Sequence, residues 1–314
     1  MNESLTAVSR ATWVMLGVAV AAVATSGPLI AAIAAPALAI AFWRLGLAAL
    51  VLAPITTVRL LRVPAERPGR RTLGACLAAG ALLAGHFGTW IPSVTMTSVA
   101  TSTALVCTQP IWAAIIAAIG GQRFTRRFWF GVLLAVVGAT AMTGADVTVS
   151  ARALAGDALA LVGAVLMAAY VTVGSKVRAT TSTTTYTTFC YGVCAVLLLA
   201  VCLVAGVRLT GYPAEAWLQL AALTGGAQFL GHSLINRVLA SLSATTVSVA
   251  ILFEVPGAAL LAWIFLGQTP PGLAWPGLAL LLTGLVLVTV ASRRSHSEPV
   301  PEPLTGDGPS VSYS

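Results

Sequence analysis

Residues 97–122 read TSVATSTALVCTQPIWAAIIAAIGGQ, and residues 243–268 read SATTVSVAILFEVPGAALLAWIFLGQ. The two stretches align without a gap when the chain is shifted by 146 residues. Residues of four types other than the abundant small apolar ones coincide under that shift: Pro110 with Pro256, Gln122 with Gln268, His86 with His232, and Trp129 with Trp275. Coincidences of these types in one register indicate that the chain is an internal duplication.

The composition indicates that the duplicated unit is embedded in lipid. Hydrophobic residues make up 58% of the 314 residues, charged residues 8%, and the mean hydropathy is +0.94. A soluble domain carries about 25% charged residues. A membrane-spanning helix needs about 20 mainly apolar residues, and we find ten such segments: 12–32, 36–58, 72–91, 97–119, 128–144, 156–174, 186–206, 215–235, 243–266 and 272–291. Because backbone polar groups in hydrocarbon must be satisfied internally, we expect an all-α integral membrane protein with ten transmembrane helices.

The number of segments in each copy sets their relative orientation. Each copy holds five segments, and because five is odd, the second copy enters the membrane upside down relative to the first. Inverted repeats of this kind are common in secondary transporters. We expect a cytoplasmic N-terminus over 1–11, a first repeat over 12–146, a second over 156–291, and a disordered cytoplasmic tail over 292–314.

The basic residues predict the topology. With the N-terminus in the cytoplasm, fourteen Lys and Arg residues fall inside, only Arg152 and Arg208 fall outside, and Arg44 lies within a span. This bias follows the positive-inside rule and predicts a multi-pass protein of the cell membrane with both termini cytoplasmic. The net charge of +8 is spread over short loops, which argues against a nucleic-acid partner. Arginine outnumbers lysine sixteen to one and alanine is abundant, which is typical of a GC-rich bacterium.

Few patterns in the sequence favour enzymatic chemistry. The five cysteines all lie in predicted spans without metal-ligand spacing, so we interpret them as apolar packing residues. No HExxH pair and no GxxxxGK[ST] phosphate loop occurs. We therefore expect no metal, no cofactor and no ATP hydrolysis. An intramembrane enzyme and a non-transporting membrane scaffold remain the alternatives to a transporter.

Several motifs resemble those of one known family. They read FWRLGLAAL at 42–50, GVLLAVVGATAM at 131–142, GDALALVGAVLMAAY at 156–170 and GLALLLTGLVLV at 277–288, together with the two stretches quoted above. In their order and doubling they resemble the EamA-type members of the drug/metabolite transporter superfamily. The resemblance implies a ten-helix transporter, usually an exporter of amino acids, metabolites or toxic compounds, and often proton-driven. It also implies that the first, third and fourth helices of each repeat surround a central cavity, with the fifth at the periphery.

The chain departs from that family pattern at two acidic positions. Family repeats often end the fourth helix with Leu-Gly-Glu, whereas Gln122 and Gln268 occupy that position here. Glu254 lies two residues before Pro256, whereas many members carry a Glu directly before the proline. A coupling scheme that depends on those acids therefore does not transfer directly.

Four ionisable residues lie well inside predicted spans and are the main site candidates: Arg44, His86, His232 and Glu254. Such residues cost roughly 2.5–3.5 kcal/mol or more at the bilayer centre and usually face a cavity or a partner. Glu254 could carry a proton or bind a substrate cation, the histidines could contact substrate or relay protons, and Arg44 could bind a carboxylate or pair with Glu254. The alternatives are interhelical hydrogen bonds for Glu254 and the histidines, and for Arg44 a fixed pair with Glu254 or a side chain that extends outward.

Neighbouring residues extend this candidate site. Gln228 precedes His232 by four residues and Trp90 follows His86 by four, so each pair shares a helix face; Trp90 could equally be an interface anchor. Two further candidates are Thr108, the repeat partner of Glu254, and the adjacent Gln109. Pro110 and Pro256 each remove a helix hydrogen bond and predict kinks that act either as hinges or as static bends.

Together these features predict a secondary-active transporter, an exporter of a small metabolite, amino acid or drug by alternating access, with proton coupling or simple facilitated exchange as the two alternatives for its energy source. The expected partners are a small-molecule substrate, the lipid bilayer and protons. Monomer and homodimer both remain open, and so do the substrate and the coupling ion.

Overall fold

The structure is a computed structural model that describes residues 9–64, 67–147, 150–178, 180–238, 242, 247, 250–269, 272 and 274–294. Of these, the side chains of 143–147, 233, 236 and 292–294 are not described. The predicted disordered tail beyond residue 294 and most of the first half of the ninth predicted span lie outside the described residues.

All regular secondary structure in this part of the chain is helical. The first repeat contains α1 (Arg10–Ala24), α2 (Ser26–Ala32), α3 (Ala37–Arg62), α4 (Arg70–Val94), α5 (Val99–Val106), α6 (Gln109–Ile119) and α7 (Arg126–Val147). The second contains α8 (Ala151–Arg178), α9 (Thr183–Val204), α10 (Ala214–Leu223), a π-helical segment (Thr224–Gly231), α11 (His232–Val238), α12 (Glu254–Leu266) and α13 (Ala274–Arg294).

Seven helical segments of the described chain are long and apolar enough to cross a membrane: Arg10–Ala32, Ala37–Arg62, Arg70–Val94, Val99–Ile119, Ala151–Arg178, Thr183–Val204 and Ala274–Ala291. They coincide with seven of the ten predicted spans. The other three predicted spans correspond to α7, to α10 with the π-helical segment and α11, and to α12 with the residues before it. The all-helical membrane fold is therefore confirmed, and the number of ten spans stays a prediction.

Four of the predicted spans are interrupted helices rather than continuous ones. The first breaks at Thr25, three residues before Pro28, and the fourth breaks at Cys107–Thr108, just before Pro110. In the ninth, α12 begins at Glu254, two residues before Pro256. Proline has no N–H to donate to the carbonyl four residues earlier, so the helix is weakened at that turn. The eighth span instead widens into the π-helical segment, which contains the weak helix formers Gly225 and Gly226.

The packing of the helices follows the sequence repeat. Helix α4 of the first repeat packs against α8 of the second, and α11 and the π-helical segment of the second repeat pack against α1 of the first. Likewise, α5 and α6 contact α8, and α12 contacts α1 and α2. Each of these contacts thus has its counterpart with the two repeats exchanged, which is the pattern that a two-fold relation between the halves produces.

The last helices of the two repeats, α7 and α13, pack closely along each other. A Cβ atom built on Gly277 would lie 2.9 Å from the carbonyl oxygen of Gly138, and one on Gly131 would lie 3.0 Å from that of Gly284. Small residues at these positions let the two backbones approach, which is how helices associate where lipid removes the hydrophobic driving force.

Candidate substrate cavity

A cavity of about 230 Å³ lies among the interrupted helices. Its wall includes all four ionisable span candidates and two of their predicted neighbours: Arg44, His86, Trp90, Gln109, His232 and Glu254. The remaining wall is mostly apolar and includes Val23, Phe87, Met167 and Ile251. None of the described wall residues comes from α7, α9 or α13. The cavity is therefore built from helices α1 to α6 of the first repeat. The second repeat contributes α8, the π-helical segment, α11, and α12 with the residue Ile251 just before it.

Arg44 is the one arginine or lysine among the described wall residues, and it is 2% exposed. Its Nε donates to Oε1 of Gln228 at 3.1 Å, and its Nη1 donates to Oγ of Ser26 at 2.8 Å. The guanidinium carbon lies 4.8 Å from the ring centroid of Phe87 and 5.9 Å from that of Trp90. The guanidinium therefore does not extend outward to water, and three helices fix its plane.

His86 is held in one orientation by a main-chain acceptor. Its Nδ1 lies 2.9 Å from the carbonyl oxygen of Gly163 on α8. A carbonyl oxygen only accepts, so Nδ1 carries the proton and Nε2 of the neutral ring is an acceptor. The ring also stacks on Trp90, with centroids 5.7 Å apart and planes 18° apart.

His232 and Glu254 complete the polar part of the wall. No hydrogen bond to the His232 ring arises from the described residues, in contrast to its repeat partner His86. No nitrogen of Arg44 lies within the 4.0 Å ion-pair distance of a Glu254 oxygen, both being described residues. The fixed Arg44–Glu254 pair considered from the sequence is therefore not formed in this conformation.

The other predicted site residues lie behind the wall or away from it. Gln228 is buried in the π-helical segment, where it accepts from Arg44. Thr108 is buried at the break between α5 and α6, where its hydroxyl donates to the Leu105 carbonyl at 2.6 Å. Pro110 sits in the first turn of α6, and Pro256 lines a separate groove between α12 and α13. The prolines thus mark the helix breaks that border the cavity.

The family of the chain follows from a comparison of its sequence with protein-family models. The model of the EamA-like transporter family matches residues 11–144 and again residues 154–290. The chain belongs to the EamA-like transporter family.

The two matches of the EamA model confirm the resemblance seen in the sequence motifs and the internal duplication. A solved structure described only as the crystal structure of a protein has a similar fold, with a TM-score of 0.62 and 16% identity over 91% of this chain and 100% of that one. At this identity the likeness concerns the fold alone. Among curated proteins, none matches this EamA-family chain significantly.

Sequence reasoning missed several residues that shape the site of this EamA-family protein. Ser26 holds Arg44 from a helix 18 residues earlier, and the Gly163 carbonyl holds His86. Gly17 and Gly163 coincide when the two sequence copies are aligned. This coincidence was a signal that the position is constrained. No pattern in the sequence pointed to Ser26, because one serine in an apolar span is unremarkable in type and spacing.

Proposed function

We propose that this chain is a secondary-active transporter that exports a small molecule across the cell membrane by alternating access. The observation that carries the proposal is the cavity itself, at which Arg44, His86, His232 and Glu254 meet among apolar helices. Ionisable residues within a bilayer are costly and mark substrate or ion pathways. Their convergence on one cavity from both repeats supports a transport site.

The interrupted helices support the alternating-access mechanism. Transporters with inverted repeats bind substrate near the midplane, at the interface of the repeats, and often use discontinuous helices there. In this chain the breaks before Glu254 and at Cys107–Thr108 border the cavity, and they occupy equivalent positions in the two repeats. Two halves of opposite orientation that exchange conformations would open the cavity to one side and then to the other.

Glu254 is the residue that we assign to proton coupling. It lines the cavity, and its repeat partner is Thr108, so that the acid is present in one half only. An asymmetric carboxyl group in a symmetric scaffold favours a chemical role over an architectural one. In this scheme Glu254 takes up a proton when the cavity faces one side and releases it on the other.

The experiment is uptake into inverted membrane vesicles under an imposed pH gradient, with amino acids and cationic dyes as candidate cargo. We expect gradient-driven uptake by the unsubstituted protein and none by Glu254→Gln. Glu215→Gln is the matched control, because Glu215 lies exposed in the first turn of α10. Undiminished gradient coupling in Glu254→Gln would remove Glu254 from the mechanism, and absence of uptake for every candidate would count against export.

A further inference from the structure

The guanidinium of Arg44 is positioned by neutral groups and leaves part of its donor set unused. Arginine has five N–H donors in a planar fork. Gln228 and Ser26 each accept one of them. The described residues provide no hydrogen-bond acceptor for the other three, and Arg44 lines the cavity. Unused donors of a fixed cation therefore border the space in which cargo would sit.

Among the described residues, no carboxylate forms a direct ion pair with this cation, and Glu254 acts on it only through space, from the same cavity wall. No described carboxylate oxygen lies within 4.0 Å of the Arg44 guanidinium. A buried charge without a directly hydrogen-bonded partner of opposite charge is unfavourable by several kcal/mol, and such a partner reduces that cost. Phe87 and Trp90 offer their ring faces, which contributes a weaker attraction than a full negative charge.

We propose that Arg44 is the receptor for a carboxylate group of the cargo, an inference that rests on the proposed transport function. A carboxylate fits two parallel N–H donors of a guanidinium, and such charge-assisted bonds are among the strongest in proteins. Gln228 and Ser26 act as positioning residues, because they hold the guanidinium so that its remaining donors stay in the wall. Trp90 lines the same cavity, and its buried indole Nε1 has no hydrogen-bond partner among the described residues.

When Glu254 carries the coupling proton proposed above, Arg44 is the one charged group of the described wall, and the cavity favours a small monoanionic carboxylate over other anions and over cations. Arg44 is the one permanently charged cation among the described wall residues, whereas a phosphate dianion would call for a second. The cavity volume of about 230 Å³ lies below the roughly 300–1,000 Å³ of pockets for drug-sized ligands. The apolar side chains around Arg44 would contact a short hydrocarbon body.

The test is binding by the purified full-length protein in detergent, measured as the rise in the thermal unfolding midpoint with probe concentration. Four probes separate the carboxylate from the amine: leucine, 4-methylpentanoate, leucinamide and 4-methylpentanamide. They share one hydrocarbon body, and only the first two carry a carboxylate. We expect both carboxylates to raise the midpoint and both amides to leave it unchanged. A response to leucine that exceeds the response to 4-methylpentanoate would add an amine contact to the carboxylate contact.

Substitutions of Arg44 test whether this residue causes the preference for carboxylates. We expect Arg44→Gln to weaken carboxylate binding at least about tenfold. Arg44→Lys keeps the positive charge but loses the planar pair of parallel N–H donors, and it should bind carboxylates with intermediate affinity. The control is Arg208→Gln, because Arg208 is an exposed arginine outside the spans. If Arg44→Gln does not fold, the comparison of the four probes on the unsubstituted protein still decides the matter.

The outcomes separate this proposal from the proposed function. Equal responses to carboxylates and amides, no response to either carboxylate, or an unchanged preference in a folded Arg44→Gln would overturn the carboxylate receptor. Gradient-driven uptake of a cationic dye together with any of these results would leave the transport function standing. Carboxylate-specific binding without uptake of any cargo in vesicles would instead support the receptor and count against transport.

Discussion

The side-chain oxygen of Gln268 accepts a hydrogen bond from the main-chain amide of Val99 at 3.1 Å, and the two residues belong to different repeats. Val99 is the first residue of α5, where amide groups have no partner within their own helix. Gln268 follows Gly267, the left-handed residue that ends α12. The bond therefore joins the start of the fourth span to the end of the ninth, next to the helices that form the cavity wall.

This bond predicts opposite effects for two substitutions of Gln268. Gln268→Ala removes the acceptor and should lower the free energy of unfolding by about 0.5–1.5 kcal/mol. Gln268→Glu keeps an acceptor and adds a negative charge at a helix N-terminus, which should raise it by about 0.3–1 kcal/mol. Unfolding in detergent measures both, with Gln219→Ala as the control, because the hydrogen bond of Gln219 to Glu215 is solvent-exposed and stays within α10. Indistinguishable effects of Gln268→Ala and Gln219→Ala would show that the bond contributes nothing.

The two histidines should differ in their contribution to stability although they occupy equivalent repeat positions. His86→Leu leaves the Gly163 carbonyl without its donor, which should cost about 0.6–1.7 kcal/mol, the range of interhelical hydrogen bonds in membranes. His86→Asn can still donate from its amide and should cost less. His232→Leu loses no hydrogen bond to the described residues and serves as the internal comparison. Equal losses for His86→Leu and His232→Leu, measured by thermal unfolding, would contradict this account.

Hydropathy predicted where helices lie but not which side of each helix faces its neighbours. In a soluble helix the polar side identifies the exposed face, but lipid and protein interior select the same apolar residues. Leu281 is fully buried whereas Val196 is 65% exposed, and both lie within apolar stretches in the interior of a helix. The hydrogen bonds of Arg44 to Ser26 and Gln228 depend on which side of each helix faces its neighbours. They could therefore be identified only from the structure.

The helix breaks were predictable in part. Pro110 and Pro256 indicated distortions, and both lie within three residues of an observed break. The break at Thr25 has the same physical cause in Pro28, but the hydropathy of 12–32 predicted one continuous span. The π-helical segment at Thr224–Gly231 has no residue that requires it, because the choice between α and π geometry depends on the packing of neighbouring helices.

The close contact of α7 with α13 predicts that one added methyl group has opposite effects at two glycines. In Gly284→Ala, the new Cβ would overlap the main chain of Gly131 and Ala135 on the facing helix. Separating the helices should cost about 1–3 kcal/mol. In Gly192→Ala, the Cβ meets nothing within 4 Å, and alanine should stabilise α9 by about 0.5–1 kcal/mol. Thermal unfolding of the two variants gives the signs, and a stabilised Gly284→Ala would contradict the close packing.

Arg62 and Arg208 test the inverted topology directly, because they occupy the same position in the two sequence copies. Arg62 ends α3 and Arg208 lies between α9 and α10, and both are exposed. The positive-inside rule predicts that Arg62 lies in the cytoplasm and Arg208 outside. A membrane-impermeant maleimide added to intact cells should therefore label Arg208→Cys, and label Arg62→Cys only after the membrane is opened.

The native protein provides a low background for this labelling, because its five cysteines are free and buried. The unsubstituted protein is the control and should remain unlabelled in intact cells. Two copies with the same orientation would place equivalent positions on the same side, so equal labelling of Arg62→Cys and Arg208→Cys in intact cells would contradict the inversion. Because alternating access depends on halves of opposite orientation, that result would also count against the proposed mechanism of export.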